Sequence, residues 1–252
     1  MTPDRSRWLV CRERRPDARL RLYCFPHSGG SAGEYLRWAE ALPGIEVWGV
    51  QAPGRAGRLW EDPYERMDDL VGALVAEARF TGPFAFFGHS LGALVGYETA
   101  RALRAAGLPG PDLLFASALC APVHQPVRAP LSGLSDAAVL EAVQDRYGQL
   151  PADVFEDEEL RGRFLGCLRA DFAVLDGYRH TPGPLLECPV VVLGGTEDTE
   201  PESGLRDWAA HTTGWSDLHF LPGGHFYLRE QHDAVHRIVL DAVQRTGLRR
   251  AA

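Results

Sequence analysis

No run of the 252-residue chain approaches the roughly 20 consecutive apolar positions needed to cross a bilayer. The N-terminus offers only a three-residue apolar patch, Trp8 to Val10, between charged residues, too short for the core of a secretory leader. Cysteines are few. Cys11, Cys24, Cys120, Cys167 and Cys188 are odd in number, scattered and without CxxC spacing, so the sequence suggests neither a disulfide framework nor a zinc site. Positive charge is also short: a formal net charge of −8 argues against broad contact with nucleic-acid phosphates or an anionic membrane, both of which need clustered cations. The expectation is a soluble, cytoplasmic protein with reduced thiols that binds neither nucleic acid nor membrane.

What is present is ordinary globular composition, 45% hydrophobic and 24% charged. The length suits one large α/β domain, and residues 1–252 are read as one. Short β-rich runs recur at Leu20–Phe25, Ile45–Val50, Phe84–Phe87, Leu113–Leu119, Pro189–Leu193 and Leu218–Leu221. Between most of them lie segments of helical period: Gly33–Leu42, Glu65–Phe80, Leu91–Ala106, Ser203–His211 and Gln231–Gln244. This alternation predicts an α/β fold with a mostly parallel central sheet flanked by helices. From Leu119 to Pro189 no strand signal occurs. Ser135 is placed to cap a helix carrying Val139, Leu140, Val143 and Tyr147, and Leu160, Phe164, Leu168, Phe172 and Leu175 form a second apolar stripe. We read this stretch, about 130–180, as an inserted helical lid; extra helices that only pack on the core are the alternative. The polar, basic ends, residues 1–16 and 247–252, are expected to be mobile.

The chemistry centres on Gly88-His89-Ser90-Leu91-Gly92, preceded by a strand-like run and followed by a helix-like one. A G-x-S-x-G elbow sets serine on a sharp strand-to-helix turn and exposes its Oγ, while the flanking glycines permit close backbone approach. A serine hydroxyl needs a base, and nine histidines compete. His225, in Leu221-Pro222-Gly223-Gly224-His225-Phe226, follows the last strand in a glycine-rich loop and is the candidate. His232 and His236 fall in a helical run and look surface-exposed, His211 and His219 lack a loop setting, and His89 reads as packing within the elbow. The imidazole needs an acid to fix its tautomer. Asp198 follows the strand Pro189–Leu193 and gives the order Ser90, Asp198, His225, with Glu197 and Glu200 as neighbouring alternatives.

A tetrahedral intermediate also requires two fixed donors. The Leu91 N–H at the helix start is one candidate, and the Ser28 N–H in Phe25-Pro26-His27-Ser28-Gly29-Gly30-Ser31, the loop after the first confident strand, is the other. That loop lacks the Lys-Ser/Thr ending of a phosphate loop and does not match GxGxxG. Pro53-Gly54-Arg55 with Arg58 is open to two readings, contact with a charged ligand or partner and solvated surface.

These motifs together resemble the type II thioesterases, the stand-alone editing hydrolases of polyketide synthase and nonribosomal peptide synthetase systems. The resemblance rests on Phe25 to Gly30, Pro53-Gly54-Arg55, the elbow, Leu168-Arg169-Ala170-Asp171-Phe172, Cys188-Pro189, Gly194-Gly195 with Asp198, and Gly223-Gly224-His225-Phe226. It implies an α/β-hydrolase fold with a helical lid, a Ser90, Asp198, His225 triad, Ser28 and Leu91 as oxyanion donors, and no cofactor or metal. The implied partner is an acyl or peptidyl carrier protein bearing phosphopantetheine, from which aberrant or stalled acyl units are hydrolysed; a monomer is expected. A His-Ser-Gly-Gly loop stands where an alanine often precedes the glycines, and Asp176-Gly177-Tyr178 where a glutamate often precedes the tyrosine. A free-standing chain of this length favours the editing type over synthase-fused or chain-terminating relatives. Carrier proteins are usually acidic too, so docking is expected through local basic or apolar surface near the lid, with Arg55 and Arg58 as candidates. A carboxylesterase and a catalytically silent scaffold are the rival readings.

Overall fold

The computed structural model describes residues 6–124, 134–147 and 157–247. Seven strands, β1 (Leu9–Val10), β2 (Leu20–Phe25), β3 (Ile45–Val50), β4 (Phe84–His89), β5 (Leu113–Ser117), β6 (Val190–Gly195) and β7 (Ser216–Leu221), form one sheet in the order β1-β3-β2-β4-β5-β6-β7. All neighbours are parallel except β1 with β3. Both faces are apolar. Along β2, Leu20, Leu22 and Cys24 enter one core, while Tyr23 and Phe25 enter the other. The strand alternation of side chains produces this split, and burial on both sides accounts for the near-continuous apolar runs of the central strands.

Helices α1 (Met67–Glu77) and α2 (Leu91–Ala105) cover one face, and α7 (His232–Arg245) covers the other. Between β5 and β6 the described residues hold α3 (Asp136–Tyr147) and α4 (Glu158–Gly177), and no strand. Ser135 Oγ accepts from the Ala138 N–H at 3.3 Å, and Asp157 caps α4 through the N–H groups of Glu159 and Leu160. Residues 125–133 and 148–156 of the expected insertion lie outside the described residues. Short helices α5 (Glu202–Arg206) and α6 (Tyr227–Glu230) follow β6 and β7.

Two expectations are corrected. The segment Gly33–Leu42 is not an α-helix but two 3-10 turns, Ala32–Glu34 and Leu36–Glu40. Ala32 sits against β3 so closely that a Cβ on Gly49 would lie 2.6 Å from its Cβ, and a tight turn is what this contact allows. Residues 6–16 are not loose. Trp8 is 1% exposed and donates from Nε1 to Glu77 at 2.9 Å, and the Arg15 guanidinium donates to the carbonyls of Ala39, Leu42 and Ile45. Residues 1–5 and 248–252 lie outside the described residues.

The loop after β2 runs to the face carrying the 3-10 turns, whereas the chain after β4 turns into α2 on the opposite face. Adjacent parallel strands whose connections diverge leave a crevice at their C-terminal ends, where ligands of open α/β sheets bind. Because Trp8 anchors an element that composition alone marks as mobile, Trp8→Ala is expected to destabilise the protein by about 3–5 kcal/mol. Urea unfolding of the two proteins measures this; a difference near zero would mean that the first strand is dispensable.

Candidate active site

Ser90 occupies the turn between β4 and α2 at φ 54° and ψ −123°, a left-handed conformation that a side-chain-bearing residue adopts only under constraint. Its N–H donates to the Ser117 carbonyl at 2.8 Å, and its own carbonyl accepts from Ala93 at 2.9 Å. The flanking glycines are required by space: a Cβ on Gly88 would lie 2.2 Å from the Gly92 carbonyl oxygen, and one on Gly92 would lie 2.0 Å from the Phe25 carbonyl oxygen. That second contact presses the elbow against the start of the loop after β2, at Phe25 and Pro26, two residues before Ser28. Among the described residues neither the Ser28 nor the Leu91 N–H has an acceptor within the protein.

The loops after β6 and β7 are bound to each other. Thr196 donates to the Leu221 carbonyl and Glu197 to the Gly223 carbonyl, each at 2.9 Å. A Cβ on Gly195 would meet the carbonyls of Gly223 and Gly224 at 2.5 Å, so only glycine allows this approach. The result brings Asp198 to His225, with Nδ1 3.0 Å from Oδ2 and 3.2 Å from Oδ1, both side chains buried. A carboxylate facing Nδ1 favours the tautomer that leaves Nε2 basic. Of the alternatives, Glu200 instead accepts from the Cys120 N–H at 2.8 Å.

His225 lies beside the elbow, its ring 5.3 Å from that of His89. His89 is fully buried, and its Nδ1 is 2.8 Å from Ser117 Oγ, which is 2.5 Å from the Tyr227 hydroxyl. Burial first, then the neighbouring His225, holds the His89 pKa well below the usual histidine range, so it stays neutral and packs, as the sequence suggests. His27 is depressed to about 3, again chiefly by burial, with Arg229 adding to the effect. His236 departs from expectation. It is buried, with its ring 5.0 Å from Trp38, rather than exposed on α7.

Arg55 and Arg58 are likewise not a charged surface. Each is 8–9% exposed; Arg58 pairs with Glu61 and lies over the Trp8 ring, and Arg55 forms a two-pronged pair with Asp171 of α4 at 2.7 and 2.9 Å. Docking through these two arginines is therefore corrected, since neither guanidinium faces solvent. Asp171 also accepts from the Gly29 N–H at 2.7 Å. The legible signal for it was a carboxylate placed on the apolar stripe of a helix, between Leu168 and Leu175.

All five cysteines are unbridged. No helix among the described residues is long and apolar enough to cross a membrane. The parallel sheet, with its serine elbow at the diverging strands, defines a chain of the α/β-hydrolase fold. It belongs to the thioesterase domain family, whose profile matches residues 20–243. The chain is 37% identical over 233 residues, 90% of its length and 82% of the relative's, to the thioesterase PikA5 of Streptomyces venezuelae. It is 38% identical to the type II thioesterase BorB from the borrelidin biosynthetic cluster, with a TM-score of 0.83 covering 96% of this chain and 98% of that one. ClbQ from the colibactin NRPS/PKS pathway superposes with a TM-score of 0.83 at 28% identity, covering 91% and 98%.

Two outcomes follow from this geometry. Ser90→Ala is expected to lower turnover by several orders of magnitude while circular dichroism and thermal midpoint stay unchanged; unchanged turnover would remove Ser90 from the chemistry. In acid, the unfolded chain protonates His27 near its ordinary pKa of 6.5, whereas the folded chain does so only near about 3, so folding stability falls with pH across that window. His27→Gln is therefore expected to lose about 2 kcal/mol less stability than the parent between pH 7 and pH 5. Denaturant titrations at both pH values check it, and parallel losses would refute it.

Proposed function

We propose that this chain is an editing, type II thioesterase that hydrolyses aberrant or stalled acyl groups from the phosphopantetheine arm of an acyl or peptidyl carrier protein. Membership of the thioesterase family makes it a thioester hydrolase. The observation that carries the finer reading is the Asp198–His225 pair held beside the Ser90 elbow, in a chain that aligns nearly end to end with a type II enzyme of a biosynthetic cluster.

In this reading Ser90 Oγ attacks the thioester carbonyl while His225 Nε2 takes its proton, and Asp198 stabilises the imidazolium. The N–H groups of Ser28 and Leu91 bind the oxyanion. Collapse of the tetrahedral intermediate expels the pantetheine thiolate, which is protonated from His225. Water then gives a proton to His225, attacks the acyl-serine and releases the carboxylic acid with Ser90 restored. A thiolate is a good leaving group, so no metal or cofactor is needed. Helices α3 and α4 act as a helical lid in a single domain spanning residues 1–252, which works as a cytoplasmic monomer. Tyr178, just past the end of α4, meets α2, its hydroxyl donating to Glu98 at 2.6 Å.

The test presents one acyl group on a holo carrier protein, on a pantetheine mimic and as an oxygen ester, with Ser90→Ala as control. We expect kcat/KM on the carrier to exceed that on the oxygen ester by at least about tenfold, the size of one modest specificity contact. A preference for the oxygen ester would instead mark a carboxylesterase, and carrier and mimic hydrolysed equally would remove the carrier from recognition.

A further inference from the structure

Asp171 lies in the middle of α4, 3% exposed, and both of its oxygens are engaged. Oδ2 accepts from the Gly29 N–H at 2.7 Å and from Arg55 Nη1 at 2.9 Å, and Oδ1 accepts from Arg55 Nη2 at 2.7 Å. The same Arg55 Nη1 donates to the Gly30 carbonyl at 3.2 Å. Arg55 is itself fixed. Its Nε donates to the Pro53 carbonyl, and its carbonyl accepts from Gln51, whose side chain also accepts from the Ala32 N–H. Gly30 N–H closes a turn onto the His27 carbonyl at 2.9 Å. Ser28 therefore sits in a loop pinned on both sides, with Phe164 and Leu168 of α4 packed over Gly29, where a Cβ would approach them to 3.2–3.3 Å.

Stability alone does not call for this arrangement, because a buried ion pair is often matched or exceeded by apolar residues of similar volume. The third bond, to Gly29, distinguishes it. The Gly29 N–H belongs to the peptide that follows Ser28, one rotatable residue from the Ser28 N–H. With Gly29 at φ +75° the loop has conformational freedom that only external bonds restrict.

We infer that Asp171 is a positioning residue for acyl transfer: through its carboxylate, with Arg55 as buttress, helix α4 fixes the direction of the Ser28 N–H, so the oxyanion hole is complete only while α4 is seated on the loop. This rests on the reading of Ser90 and Ser28 given above. A partner or acyl chain that shifts α4 then alters kcat, and not merely access to the site.

The experiment compares the full-length chain with Arg55→Met/Asp171→Leu and with Asp171→Asn, on a carrier-bound thioester and on an aryl oxygen ester. The double variant removes both charges and the Gly29 acceptor. It is expected to keep the parental thermal midpoint while kcat falls about 10- to 100-fold on both substrates with KM within about threefold, as for a weakened oxyanion donor. Asp171→Asn keeps an oxygen for Gly29 but leaves Arg55 uncompensated. It is expected to melt earlier yet retain a higher kcat than the double variant. Opposite rankings in stability and kcat support positioning; kcat that tracks the thermal midpoint, or a stable double variant with parental kcat, overturns it. If the double variant does not fold, Asp171→Asn decides alone: kcat lowered about three- to tenfold at constant KM supports the inference, and an unchanged kcat refutes it. Parental activity on the ester but not on the thioester would defeat the editing reading and leave this comparison intact.

Discussion

The contact between the elbow and the end of β2 is the constraint on which the remaining site geometry depends. Gly92 lies so near the Phe25 carbonyl that no side chain fits, and Gly88 is equally close to the first turn of α2. These contacts force the chain to reverse within one residue, and Ser90 takes the strained backbone conformation that results, at a cost on the order of 1–3 kcal/mol. Because β2 and β4 are neighbours with diverging connections, the same contact draws the Ser28 loop and the start of α2 together. The proposed nucleophile and the proposed oxyanion donors thus share one origin in the sheet.

Asp198 and His225, the proposed acid and base, arrive by a separate route. They depend on the approach of two loops at the far strands β6 and β7, made possible by Gly195. Three histidines, His27, His89 and His225, surround the Phe226 ring; His225 has the Asp198 carboxylate 3.0 Å from Nδ1, His27 has Glu34 at 3.4 Å from Nε2, and His89 meets the Ser117 hydroxyl. His27 and His89 are kept neutral by burial. Asp198 faces Nδ1 of His225 and leaves its Nε2 as the acceptor, whereas Glu34 lies on the Nε2 side of His27.

Much of this was legible in the sequence, for reasons specific to each part. The central strands stand out because burial on both faces leaves continuous apolar runs, and the elbow stands out because its requirement for glycine is local. His225 was distinguishable from its competitors by the glycines before it, and Asp198 by its place after a strand. The Arg55–Asp171 pair was not legible as a pair: 116 residues separate the partners, and although Asp171 stands out on an apolar helix stripe, nothing in the sequence says which cation meets it. The burial of His236 was hidden in the same way, since its partner Trp38 belongs to a distant segment. Strand β1 was missed because two residues cannot display a period; what holds it is the Trp8 indole, not a pattern.

That small strand has a further effect. A parallel sheet ending at β3 would present a free row of amide and carbonyl groups beside Trp48 and Val50, a template for another chain to extend. Leu9 and Val10 pair antiparallel with Val50 and Gly49, and Gln51 donates to the Trp8 carbonyl at 2.7 Å. At only two residues, β1 is itself too brief to recruit a neighbour. The opening segment of the chain therefore serves as an end-stop for the sheet, guarding the folded protein against edge-to-edge association.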